Sequence, residues 1–148
     1  MERPKLLLLE DDFLLRHSYA RSLDEHGFYV IASREGADLD DILGVNKIEI
    51  ILSDSDLDGS ENGVKGYSLC SGAISRGAIS DSTFIVGMSG DGHNQNHWAG
   101  IANFNGFYNK LNFEKIPIGL CIANYFRVAK SNPLIYGSKL LSANLDLD

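Results

Sequence analysis

Short apolar runs alternate with longer amphipathic stretches along this chain, and nearly every junction between them carries an acidic, Gly or Asn residue. That alternation is the βαβα signature of a parallel sheet covered by helices on both faces. The apolar runs predict strands at Lys5–Leu9, Phe28–Ala32, Ile48–Leu52, Phe84–Met88 and Gly106–Asn109. The first, third and fourth are nearly continuous in apolar residues, as strands buried on both faces are. Between the first two strands, Leu14, Leu15, Tyr19, Leu23 and His26 recur at helical spacing, with Asp12 placed to cap the start and Gly27 to end it. Further helices are predicted over Gly36–Leu43 and Tyr67–Ser75, within Asn96–Asn103, and from about Ile116 to Ala129. The expected fold class is therefore α/β, a doubly wound five-stranded parallel sheet. Residues 1–130 are expected to form the folded domain and residues 131–148 a C-terminal tail, whose Pro, Gly and Leu residues keep no sustained period.

In an open parallel sheet, ligands bind outside the carboxyl ends of the strands, so the residues that follow each run are the candidates for chemistry. After the first run come Glu10, Asp11 and Asp12; after the third, Asp54 and Asp56; after the fourth, Ser89; after the fifth, Lys110. The topology gathers these groups into one patch. Two carboxylates about 4 Å apart repel by about 4 kcal/mol at an effective dielectric near 20, so such a patch favours a hard divalent cation, and Mg²⁺ suits it. Beside such a cation, Asp54 is suited to attack a phosphoryl donor as a carboxylate nucleophile. Lys110 can neutralise the transferred oxygens, and the Ser89 hydroxyl can donate to one of them.

Charge narrows the range of partners. Asp and Glu number 20 against 13 Lys and Arg, a net charge of −7, with no dense basic cluster, which argues against nucleic-acid binding. The Leu6–Leu9 run is ended at once by Glu10, far short of the roughly 20 apolar residues of a membrane span. No small-residue cleavage site follows it, so neither a secretory leader nor a membrane association is expected. Cys70 and Cys121 match no CxxC or zinc spacing and are expected to be reduced, packed thiols in a cytoplasmic protein.

Four segments together resemble the receiver domains of two-component response regulators. LLLLEDD looks like their first strand and acidic pair, IILSDSDLDG like the third strand with its phosphoacceptor, IVGMSGD like the fourth with its switch hydroxyl, and GFYNK like the fifth with its lysine. The resemblance spans roughly Lys5 to Ala129 and implies a flavodoxin-like (βα)5 receiver fold. It implies that Asp54 is the phosphoacceptor, that Glu10, Asp11, Asp54 and the backbone carbonyl of Asp56 hold Mg²⁺, and that Ser89, Lys110 and Phe107 stabilise and report the phosphoryl state. Asp56 and Asp91 stand where the family tunes dephosphorylation. A histidine kinase or phosphotransfer protein would be the donor. The output would be a downstream protein or a homodimer, engaged through the face of the fourth helix, fifth strand and fifth helix. Such a chain is a signalling phosphoprotein rather than an enzyme. It departs from the family at Leu111, where Pro usually follows the lysine, often after a cis peptide. It also departs at Asp58, in the long loop Asp58–Gly66, at Ser53, and at Gly87 within the fourth strand.

Rival readings remain for several of these residues. Acids at 10–12 also suit a helix N-terminus, which accounts for Asp12 but comes too early for Glu10 and Asp11. Asp54, Asp56, Asp58 and Gly59 open like a calcium loop, but Lys65 stands where that loop needs Glu. His93 and His97 have a metal-compatible spacing within a polar, Asn-rich segment, and Trp98 and Tyr108 could be partner contacts or core. A phosphatase of the haloacid-dehalogenase type would use Asp54 as nucleophile and Asp56 as general acid, but that family carries its DxD on the first strand. A degenerate receiver acting only as an interaction module is the non-catalytic alternative.

Overall fold

Leu6, Leu7, Leu8 and Leu9 are all fully buried, and alternate residues enter two separate apolar layers, one on each face of the sheet. The computed structural model describes residues 2–34, 36–57, 63–90, 94–101, 104–112 and 116–131. In chain order they form β1 (Lys5–Leu9), α1 (Phe13–Glu25), β2 (Tyr29–Ser33), α2 (Leu39–Val45), β3 (Ile50–Asp54) and α3 (Gly66–Ser75). There follow β4 (Phe84–Ser89), α4 (Asn94–Ala99), β5 (Phe104–Asn109), a 3₁₀ turn at Lys110–Asn112, and α5 (Ile118–Ser131). The strands pair in the order β2-β1-β3-β4-β5, all parallel, so the winding reverses between β1 and β3. This is the expected doubly wound α/β architecture.

The layer beneath α1 and α5 contains Leu6, Leu8, Tyr19, Leu23, Phe84, Ile122 and Phe126; the layer beneath α2, α3 and α4 contains Leu7, Leu9, Leu39, Cys70, Trp98 and Phe107. Asp12 caps α1 as predicted, accepting the Leu15 N–H at 3.0 Å. Gly27 follows the helix with φ +101°, a conformation open to glycine. Leu14 departs from the predicted apolar face and is 73% exposed, because the buried positions Tyr19, Ser22 and Leu23 follow a stripe that it falls outside. His26 lies one residue past the helix and caps its end.

Other boundaries shift for local reasons. α2 begins at Leu39 rather than Gly36, since Gly36 sits at φ +71°, outside helical space. α5 starts after Pro117 rather than at Ile116, and α4 begins at Asn94, earlier than predicted. β3 starts two residues late and continues through Ser53 to Asp54; β4 runs unbroken through Gly87 to Ser89. Trp98 and Tyr108 are both core residues. The tail from 132 onward, the loop residues 58–62 and His93 lie outside the described residues. No helix among the described residues is long and apolar enough to cross a membrane.

Candidate functional site

The ends of β1, β3, β4 and β5 lie side by side, so register alone brings the charged residues together. Asp54 is the last residue of β3 and pairs with Met88, which places Ser89 one step beyond it on β4, opposite Asn109 of β5. Lys110 then turns back across the strand ends. Its Nζ lies 2.8 Å from Glu10 Oε2 and 3.0 Å from Asp54 Oδ2. Carboxylate oxygens of Glu10, Asp11 and Asp54 all lie within 4.8 Å of one another.

Burial sets the electrostatics. Glu10 is 0% exposed and Asp54 7% exposed. Burial, reinforced by the Asp54 charge, raises the Glu10 carboxyl to about 7 even though Lys110 pulls it down. Asp54 is likewise raised by burial, against the lowering effect of Lys110 and the Ser55 N–H. Burial alone would lower the Lys110 ammonium, but the Asp54 and Glu10 carboxylates outweigh it and raise its pKa. Three carboxylates against one ammonium leave two negative charges when all are ionised, the complement of a divalent cation. Hard oxygen donors, close spacing and desolvated charge all fit Mg²⁺, with Glu10, Asp11 and Asp54 as the side chains that would hold it.

The remaining predicted residues take distinct positions. Ser89 is buried at the end of β4, and Phe107 is fully buried in β5 opposite Gly87. Asp56 stands apart from the carboxylate cluster: it forms an antiparallel bridge with Lys65, which also ion-pairs with its carboxylate. Asp91 lies outside the described residues. The Lys110–Leu111 peptide is trans, and Leu111 N–H is held by Asn109 Oδ1 at 3.0 Å, so the 3₁₀ turn sets the lysine without a proline.

Several supporting residues were not evident from the sequence. Arg16 Nη1 donates to the carbonyls of Glu10 and Asp11 at 2.9 and 3.3 Å, bracing the acidic pair from one turn into α1. Gly66 opens α3 directly under the phosphoacceptor candidate: a Cβ there would lie 2.0 Å from Asp54 O and 2.4 Å from Ser53 Oγ. Ser53 Oγ itself donates to Asp54 O at 2.9 Å. Ser55 gives its N–H to Asp54 Oδ1 at 2.8 Å. The glycine after a long polar loop and Ser53 in an apolar run were the available signals; the contacts of Arg16 and Ser55 span only one to six residues, but nothing in the residue pattern marks them.

No protein-family model and no curated protein sequence matches the chain. Solved structures do match it in fold. The signal receiver domain of an HD domain-containing protein from Pseudomonas fluorescens Pf-5 superposes with a TM-score of 0.67 at 13% identity, over 88% of this chain and 93% of that one. The receiver domain of a Francisella response regulator gives 0.62 at 18%, over 84% and 98%. A response regulator from Burkholderia pseudomallei, solved with a phosphorylated aspartic acid, calcium ion and citrate, gives 0.59 at 20%, over 88% and 74%. The fold is thus the flavodoxin-like fold of response-regulator receiver domains.

Proposed function

We propose that this chain is a phosphorelay receiver whose Asp54 accepts a phosphoryl group from a histidine kinase or phosphotransfer protein in the cytoplasm. The observation that carries this reading is the convergence of buried Glu10 and Asp54 on one lysine, with Asp11 alongside, at the carboxyl end of a receiver-type sheet. In the transfer, an Asp54 carboxylate oxygen bonds to phosphorus as the donor's phosphorus–nitrogen bond breaks. The electron pair stays with the imidazole nitrogen, which takes up a proton. Lys110 neutralises charge on the arriving phosphoryl oxygens, and Ser89 donates its hydroxyl to one of them. Mg²⁺, held by Glu10, Asp11, Asp54 and the Asp56 backbone carbonyl, would supply the charge compensation that lets an anion approach carboxylates.

The modified aspartate would carry about −1.5 to −2 charges at neutral pH. Lys110 and Ser89 draw toward that charge, Phe107 follows, and the face of α4, β5 and α5 changes for a downstream protein or a second copy of the chain. Asp56 and Asp91 would set how fast water removes the phosphoryl group. The phosphorylated aspartic acid and calcium ion in the Burkholderia pseudomallei regulator of the same fold support this reading.

Incubation with Mg²⁺ and acetyl phosphate, followed by intact mass, tests it. One phosphoryl adduct is expected, absent in Asp54→Asn and in excess EDTA. No adduct under any condition would leave a non-catalytic interaction module, and hydrolysis of many phosphate esters per chain would point to a phosphatase.

A further inference from the structure

Ser55, the residue after the phosphoacceptor candidate, is fully buried and unusually well tied. Its N–H is shared between Asp54 Oδ1 at 2.8 Å and the Met88 carbonyl on β4 at 2.9 Å. Its hydroxyl donates to the same Met88 carbonyl at 2.9 Å and accepts the Trp98 indole N–H at 2.8 Å. Its carbonyl accepts the N–H of Gly66, the first residue of α3, at 2.9 Å. Trp98 is the buried anchor of the short helix α4. The indole lies so close over β4 that a Cβ on Gly87 would come within 2.4 Å of its ring, and the Tyr67 ring meets it edge-on with centroids 5.9 Å apart.

We propose that Ser55 is a positioning residue for Asp54 and that the Trp98–Ser55 hydrogen bond carries the state of the acidic pocket to α4. This rests on the phosphoacceptor reading. An ionised Asp54 takes a charge-assisted share of the Ser55 N–H. Formation of the acyl phosphate moves the charge from the carboxylate to the phosphoryl oxygens, so that share weakens and the N–H favours Met88 O. The Ser55 hydroxyl competes for that same carbonyl, and its geometry toward Trp98 shifts. Because Gly87 leaves the indole in direct contact with the strand, a change in that bond moves the anchor of α4 rather than being absorbed by a gap.

Trp98 is the sole tryptophan, so the indole N–H gives one assignable resonance in a ¹⁵N–¹H spectrum of the full chain. Spectra are recorded with EDTA, with Mg²⁺, and with Mg²⁺ plus acetyl phosphate, with adduct formation followed by intact mass in parallel. The indole resonance is expected to move on adduct formation. In Ser55→Ala the adduct should form about fivefold more slowly at saturating acetyl phosphate, and the indole response should be lost. Ser55→Thr, which keeps the hydroxyl, should restore the response. An adduct that leaves the wild-type indole resonance in place overturns the inference while sparing the phosphoacceptor reading, and it needs no variant. A Ser55→Ala protein that responds like wild type overturns it as well. No adduct in the wild type overturns the phosphoacceptor reading and this inference with it.

Discussion

The two helical layers flanking the sheet are built differently. On one side, α1 and α5, of 13 and 14 residues, lie against each other as well as against the strands. They approach so closely at Gly119 that its N–H donates to Ser22 Oγ at 2.9 Å and a Cβ would fall 2.1 Å from Ser22 O. An edge-to-face cluster of Phe28, Phe84, Tyr125 and Phe126 fills the space beneath, with centroids 5.3 to 6.1 Å apart. On the other side, α2 and α4 have only 7 and 6 residues, and α4 enters the core through Trp98. The first layer, tied helix to helix as well as to the sheet, is expected to unfold with it as one unit, and the short helices of the second to open locally.

Substitutions in the long-helix layer should therefore act globally. Phe126→Ala is expected to lower unfolding free energy by about 4 kcal/mol, seen as a lower urea midpoint with unchanged slope. Gly119→Ala should cost about 3 kcal/mol by forcing α5 off α1. If either left the midpoint in place, the contrast between the layers would collapse.

The acidic pocket lies at the strand ends, and its contribution depends on pH. Glu10 and Asp54 hold their protons to higher pH folded than unfolded, so unfolding releases protons. Stability in EDTA should then fall as pH rises from about 4.5 to about 7, by an amount on the order of 2 kcal/mol. Saturating Mg²⁺ should abolish that decline, and Mg²⁺ affinity should rise with pH through about 7 as protons cease to compete. Thermal melts at pH 5 and pH 7.5 with each addition check both, and a decline that Mg²⁺ leaves unchanged would contradict the metal assignment.

The smallest effect is expected in the short-helix layer. Trp98→Phe keeps most of the buried ring but removes the donor to Ser55, costing about 1 kcal/mol. Its signature should be faster amide exchange confined to α4, measured by native-state hydrogen exchange, whereas loss of protection across α1 and α5 would show that the layers are not independent.

What could be read from the residues alone follows from how local each cause is. The Leu6–Leu9 run, the Asp12 cap and the Gly27 stop are decided within a few residues, and the structure places them as expected. The gathering of Glu10, Asp54 and Lys110 was also legible, because it follows from strand order once the sheet is parallel. The late start of α2 was not, since it depends on Gly36 at φ +71°, where an added Cβ would lie 2.7 Å from Leu69 Cδ1. Gly87 looked like an interruption of β4 and instead makes room for Trp98, eleven positions on. Ser55 and Gly66 gain their significance largely from neighbours distant in sequence, Met88 and Trp98 for the one and Asp54 for the other, while the reach of Arg16 back to Glu10 and Asp11 depends on how the chain turns into α1.

Lys110 reaches from the end of β5 past β4 to carboxylates at the end of β3 and just after β1, linking parts of the chain 100 residues apart. Such a contact has the large sequence separation whose closure is entropically costly, and it needs the intervening strands in place. Until then Glu10 and Asp54 have no lysine between them, and β1 and β3 alone cannot assemble the pocket. The pocket is thus a property of the assembled sheet, complete only when β1, β3 and β5 stand in their native order.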